Sequence, residues 1–143
     1  MIYFDTSALV KRYVPERNSH AADLYFVENA PVAVSRLVLL ELRCTVARKR
    51  RNGEISSAAE QGVMDKARLD VQDGVLVIHP MTDAYFVEAM RLIEDYPQFA
   101  LRTLDATHLA AAHAIGVKEL ATADAVMRGV AQAMGMQVVY FGS

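Results

Sequence analysis

Short apolar runs recur along the chain at Ile2-Tyr3-Phe4, Val32-Ala33-Val34, Val75-Leu76-Val77-Ile78, Leu120-Ala121 and Val138-Val139-Tyr140-Phe141. Between them, apolar residues fall at the spacing of helices. The pattern predicts strands at 2–4, 32–34, 75–79, 119–122 and 138–141. It predicts helices at 8–13, 19–29, 36–51, 57–73, 83–95, 102–115 and 125–134. Thr6 or Ser7 reads as the cap of the first helix, and Pro15 closes it. Ser57-Ala58-Ala59-Glu60 reads as a capping box, and Thr82 as the cap of the fifth helix. Gly53 and Gly116 mark helix stops, while Gly74 and Gly135 lead into strands. Short apolar strands separated by helices imply an α/β fold, with a parallel sheet covered by helices on both faces.

Four acids interrupt this pattern. The 102–115 helix is apolar nearly all round (Leu104, Ala106, Leu109, Ala110, Ala111, Ala112, Ala114), so burial is expected. Asp105 sits inside it, with no lysine or arginine at i+3 or i+4. An ionised carboxylate there is costly unless a cation or hydrogen bonds compensate it. It reads either as a first-turn acid favoured by the helix dipole or as a site residue. In the 36–51 helix, Leu37, Leu40, Glu41, Cys44 and Ala47 form the face expected to be buried, and Glu41 is its one charge. Glu41 could reach solvent, pair with Arg48, or face a site. Asp5 follows the first strand and Asp124 the fourth, though Asp124 could equally cap the last helix. In a parallel sheet these two acids share the carboxyl edge, where open α/β sheets bind ligands.

Helices flanking a small sheet could bring Glu41 and Asp105 to that edge as well. Two such charges roughly 5 Å apart repel by about 3 kcal/mol at an effective dielectric of 20. A hard divalent cation would hold them, and all-oxygen ligation points to Mg2+ or Mn2+ rather than zinc. That chemistry suits phosphoryl transfer.

At 143 residues, 53% of them apolar, the chain has the length and core-forming composition of one domain over 1–143. No apolar run is long enough to span a bilayer. Met1 leads straight into a strand, so no signal peptide is expected. The one cysteine, Cys44, leaves no internal disulfide or cysteine-based zinc site. These features predict a cytoplasmic protein. The net charge of −2 does not announce a polyanion binder. It averages, however, over a basic run, Arg48-Lys49-Arg50-Arg51, and over Arg102 beside Asp105. The run could contact phosphates or simply complement its helix dipole.

Several motifs combine at this point: Asp5-Thr6-Ser7 after an N-terminal strand, Glu41 in a leucine-rich helix, Leu101-Arg102-x-x-Asp105-Ala106-x-His108-Leu109-Ala110-Ala111, and Thr122-x-Asp124. Together they resemble the PIN-domain family, and within it the VapC ribonuclease toxins of type II toxin–antitoxin systems. The resemblance covers the whole chain in order and spacing. It implies a PIN-like three-layer α/β/α fold with a central five-stranded parallel sheet. It implies a metal-dependent endoribonuclease that hydrolyses RNA phosphodiester bonds with a metal-activated water, using Mg2+ or Mn2+. The catalytic and metal-binding quartet maps onto Asp5, Glu41, Asp105 and Asp124. A homodimer is implied too, as is a VapB-like antitoxin whose C-terminal segment covers the site.

Thr6, Ser7, Arg102 and Thr122 are candidate supporting residues, able to touch the metal's water or a phosphate, although capping and surface placement account for them equally. Arg48, Arg50 and Arg51 are candidate RNA contacts. Tyr25, Phe26 and Val27 could line a groove for a partner helix or belong to the core. His79, His108 and His113 read as packing or surface residues, because their spacing matches no zinc helix motif. Met127 and Met134 read as core.

Two other functions fit parts of the chain. One is a catalytically silent RNA- or antitoxin-binding module. The other is phosphotransfer through an aspartyl phosphate, which wants a second acid beside Asp5 and a lysine at a later strand end. Asp5-Thr6-Ser7 lacks the first, and Lys118 precedes its strand.

Overall fold

The computed structural model describes residues 1–142. The strands are β1 (Ile2–Phe4), β2 (Val32–Ser35), β3 (Leu76–His79), β4 (Glu119–Thr122) and β5 (Gln137–Tyr140). The helices are α1 (Thr6–Tyr13), α2 (Ser19–Asn29), α3 (Arg36–Arg51), α4 (Ser57–Gln72), α5 (Asp83–Asp95), α6 (Thr103–Ile115) and α7 (Ala125–Ala133). All strands pair in parallel in the order β3-β2-β1-β4-β5. The chain moves outward from β1 to β3, then returns to the other side of β1 for β4 and β5. Right-handed crossovers therefore put α1 to α4 on one face of the sheet and α5 to α7 on the other. The helices pack among themselves in those two groups, giving the expected three layers.

This order puts the topological switch point between β1 and β4, and the crevice there opens at the carboxyl edge. The ladder runs up to that crevice, with Asp5 N–H donating to Ala121 O at 3.1 Å. Tyr3, Phe4, Val32 and Val34 of the central strands are fully buried, against Leu9, Phe26, Leu109 and Met127. The alanines Ala110, Ala111 and Ala112 are fully buried, so α6 contributes backbone at close quarters to the core.

Several local expectations need correction. The buried face of α3 is Val38, Leu42 and Val46, while Leu40 and Cys44 are exposed. Glu41 lies at the margin of that face. Phe26 is core, and Tyr25 packs on Phe4 and Phe141 and donates to Glu119, so only Val27 of that trio is free for a partner. The N-cap of α1 is Asp5, not Thr6 or Ser7; its Oδ1 accepts Ala8 N–H at 3.0 Å. Ser56, not Ser57, caps α4, and Glu60 bonds Arg43 and Arg50 instead of closing a capping box.

One buried network was not anticipated. Arg12 of α1 donates to both oxygens of Asp70 of α4, from Nε at 2.8 Å and from Nη2 at 3.2 Å. Tyr13 O–H donates to the same carboxylate at 2.6 Å. Arg12 also reaches Asp23 of α2 at 2.6 Å and stacks 4.0 Å from the Phe26 ring centroid. Burial pushes the Asp70 carboxyl up, but the bonds from Arg12 and Tyr13 outweigh it and hold the group below its ordinary value. The network joins three helices at the amino edge of the sheet, away from the crevice.

Candidate active site

Asp5 lies at the end of β1 and is only 3% exposed. Ser7 O–H donates to its Oδ1 at 2.6 Å, alongside the Ala8 amide, and Thr122 O–H donates to its Oδ2. Ser7 and Thr122 stand 3.3 Å apart, but each spends its one hydroxyl hydrogen on Asp5. Their lone pairs then take backbone amides: Ala123 N–H at 2.8 Å on Ser7 and Asp124 N–H at 3.0 Å on Thr122. These two residues, expected near a ligand, build the seat of Asp5 and fix the turn that carries Asp124. Even so, burial dominates and raises the Asp5 carboxyl above its ordinary value.

Asp124 caps α7, its Oδ1 accepting Met127 N–H at 2.9 Å. The capping reading holds, and because capping occupies one oxygen the carboxylate still stands at the edge. Asp105 stands in the first turn of α6. Its Oδ2 is buried and has no hydrogen-bond partner. Arg102, one turn before it, lies 3.7 Å away, close enough to attract and too far to bond. This arginine stands at i−3, on the N-terminal side of Asp105, opposite to the i+3 and i+4 positions that carry no lysine or arginine. Burial, reinforced by the negative charge of Asp124, raises the Asp105 carboxyl despite Arg102. Glu41 and Asp105 line one open cleft of about 580 Å³, together with Ile93, Leu101, Arg102 and Leu104.

Glu41 does not pair with Arg48. Its Oε1 accepts from Thr6 O–H at 2.9 Å and from His108 Nε2. Burial would raise this carboxyl, but the bonds and charge of His108 and the Thr6 hydroxyl prevail and lower it. His108 was classed with packing residues. It is buried, and it is also the link between α6 and Glu41. Its Nδ1 is 2.9 Å from the Tyr3 hydroxyl, which lies 2.9 Å from Ser35 Oγ. The sequence signal was the i, i+3 relation of Asp105 and His108, which puts both on one side of α6. His79 and His113 do not join the site. His113 is exposed 3.9 Å from Glu88, and His79 Nε2 is buried without a partner.

A family model for the PIN domain matches residues 2–133. The chain belongs to the PIN-domain family. It is similar to ribonuclease VapC46 of Mycobacterium tuberculosis, with 32% identity across 96% of this chain and 95% of that protein. Its fold matches the crystal structure of VapC20 from the same species, described as a sarcin-ricin loop cleaving toxin. The TM-score there is 0.75 at 20% identity, covering 98% of this chain and 99% of the other. It also matches VapBC2 of Rickettsia felis, solved bound to a DNA fragment from its promoter, with a TM-score of 0.66 at 20% identity over 98% of each chain.

As the side chains of this PIN domain stand, no group of three or more His, Cys, Asp and Glu among the described residues is gathered closely enough to hold an ion. The carboxylates are turned toward hydroxyl, amide and imidazole donors. The donor set is nevertheless hard oxygen, and the partnerless Oδ2 of Asp105 beside the charge of Asp124 is what a cation would relieve. Among the described residues, no helix is long and apolar enough to cross a membrane.

The basic run of α3 divides. Arg50 is held by Glu60 at 2.7 Å, and Lys49 lies 3.7 Å from Glu16 and 3.9 Å from Glu54. Arg48 instead lines a cavity of about 330 Å³ with Lys49, Lys11, Thr45, Thr6 and Ser7. That cavity connects the basic end of α3 to the hydroxyls around Asp5.

Proposed function

We propose that this PIN domain, a single nuclease domain over residues 1–143, is a metal-dependent cytoplasmic endoribonuclease and the toxin of a toxin–antitoxin pair. The observation that carries this is Asp105, half-buried and pressed by Asp124, whose buried Oδ2 has no hydrogen-bond partner in a cleft it shares with Glu41. Folding gains nothing from a charge in that position, so the charge serves a ligand. Asp105, Asp124 and Glu41 would hold Mg2+ or Mn2+, with Asp5 beneath them. When bound, such an ion lowers the pKa of water and neutralises charge on a phosphate. Ser7, Thr122 and Thr6 orient Asp5 and Glu41 by donating to them, and exposed Arg102 faces the cleft where a phosphate would enter. The test is incubation of purified protein with total RNA in Mg2+, in Mn2+ and in chelator, followed by sequencing of the cut ends. Discrete, chelator-sensitive cuts are expected; none in either metal would leave the silent-module alternative.

RNA needs cationic contacts to approach an acidic cleft. Arg48 is the best placed of the expected trio, Arg51 is exposed on the last turn, and Arg50 is shared with Glu60. Arg48→Ala should flatten the slope of log affinity against log salt by up to ~0.7 on single strands. It should leave the maximal cleavage rate nearly unchanged, because a positioning contact serves ground and transition states alike. An unaltered slope would return Arg48 to the role of a helix-end charge.

The partners follow from surface and kinship. Phe86, Val87, Met90 and Ile93 of α5 and Leu104 of α6 are exposed, an apolar strip bordering the cleft. A homodimer through this face covers it, and a VapB-like antitoxin restrains the nuclease. Met90→Asp should convert the dimer to monomer in sedimentation at micromolar concentration. A wild-type chain that sediments as a monomer would remove the dimer from the account.

A further inference from the structure

Glu41 sits on a helix of one outer layer, while the acids it must meet hang from the sheet edge and from the other layer. Something has to fix its carboxylate, because a half-buried glutamate on a helix has several rotamers within reach. Both donors that reach it choose the same oxygen. Thr6 O–H and His108 Nε2 converge on Oε1, and among the described residues Oε2 accepts from none. Glu41 is ionised and can only accept, so His108 Nε2 must carry the hydrogen of that contact. The imidazole is in turn held by Tyr3, whose hydroxyl stands 2.9 Å from Nδ1 and 2.9 Å from Ser35 Oγ. Ser35 is the N-cap residue of α3, yet its side chain makes no capping bond; it faces Tyr3 instead. Tyr3, Ser35 and His108 are all buried, so the contacts among these three are protected from water.

We propose that His108, braced by Tyr3 and Ser35, is the positioning residue that pins Oε1 of Glu41 and turns Oε2 out toward the divalent cation. The proposal rests on the reading of the acids as a cation site. Asp105 and His108 are three residues apart on α6, so one helix supplies one ligand and the holder of another. Any shift of α6 against α3 would then move both together. A bonded partner behind a ligand orients it, and loss of such partners usually weakens metal affinity by roughly 10- to 100-fold.

The test is Mn2+ affinity, read from the EPR signal of free Mn2+ on the purified chain, with RNA kinetics alongside. His108→Leu keeps an apolar body without the donor, and Tyr3→Phe keeps the ring while removing the hydroxyl. His108→Leu should bind Mn2+ at least ~10-fold more weakly, and Tyr3→Phe roughly 3-fold more weakly. His108→Gln, which retains an N–H donor, should recover most of the loss. In both weakened variants kcat at fixed Mn2+ should fall while KM for RNA holds, which a general packing defect would not produce. Melting in chelator checks that each variant is folded; if His108→Leu is not, Tyr3→Phe decides. Wild-type affinity in a folded His108→Leu or in Tyr3→Phe overturns the positioning role alone. A wild-type chain that binds no Mn2+ overturns the cation site and this proposal with it.

Discussion

Asp105→Asn is expected to cut RNA at least ~10²-fold more slowly than wild type while being no less stable. The two effects have one origin. The residue is half-buried, its buried Oδ2 has no hydrogen-bond partner, and Asp124 repels it. The charge therefore costs the fold and serves only the site. The pH dependence follows from the raised pKa. The folded state holds the Asp105 proton more tightly than the unfolded chain, whose value is near 3.8. Its contribution is thus fully favourable below that value and is lost as pH rises through the folded pKa. Asp5, raised by burial, acts in the same direction. In chelator, melting temperatures of wild type and Asp105→Asn should nearly coincide below the unfolded value of 3.8 and separate in favour of the variant as pH rises. A variant with near-wild-type cleavage in Mg2+ would remove Asp105 from the quartet.

Asp70→Ala is expected to cost roughly 3 kcal/mol of stability. It leaves the Arg12 guanidinium and the Tyr13 hydroxyl without their shared acceptor in a buried place, with only Asp23 still bonding Arg12. For a chain of this length that is a fall of ~10 °C in melting temperature. Here the sign is opposite to that of Asp105. The Asp70 carboxyl is depressed, so its contribution is present above the unfolded value and is lost as pH falls through the folded one. The gap between wild type and variant should therefore close in strong acid. Cleavage well below the transition should persist, since the network clips α1, α2 and α4 at the amino edge. A fall below ~1 kcal/mol would mean that water or Asp23 replaces the lost acceptor.

The strands were legible because each is a short apolar run bounded by turn residues, and the acids at their ends followed from strand polarity alone. Strand order was not legible, because periodicity carries no pairing information; the return from β3 to β4 beside β1 appears only in the fold. The face of α3 was misread because Leu37, Val38, Leu39, Leu40 and Leu42 are apolar nearly all round, so two stripes a residue apart fit equally well. The role of His108 was not legible, because its partners lie 67 and 105 residues away in the chain. Arg12 and Asp70, 58 residues apart, escaped for the same reason. Thr6, Ser7 and Thr122 stand out in the sequence as ligand contacts or as caps and surface residues, whereas their hydroxyls face the carboxylates of Asp5 and Glu41.

Asp5, Glu41, Asp105 and Asp124 are proposed to form one cation site in the folded chain. The melting temperature as a function of Mg2+ concentration tests it most directly. If the ion binds only the folded state, stability should rise by about 2.7 kcal/mol at ~100 times the dissociation constant. Glu41→Gln combined with Asp124→Asn should flatten that rise. An equal response in wild type and double variant would place the ion elsewhere and contradict the account.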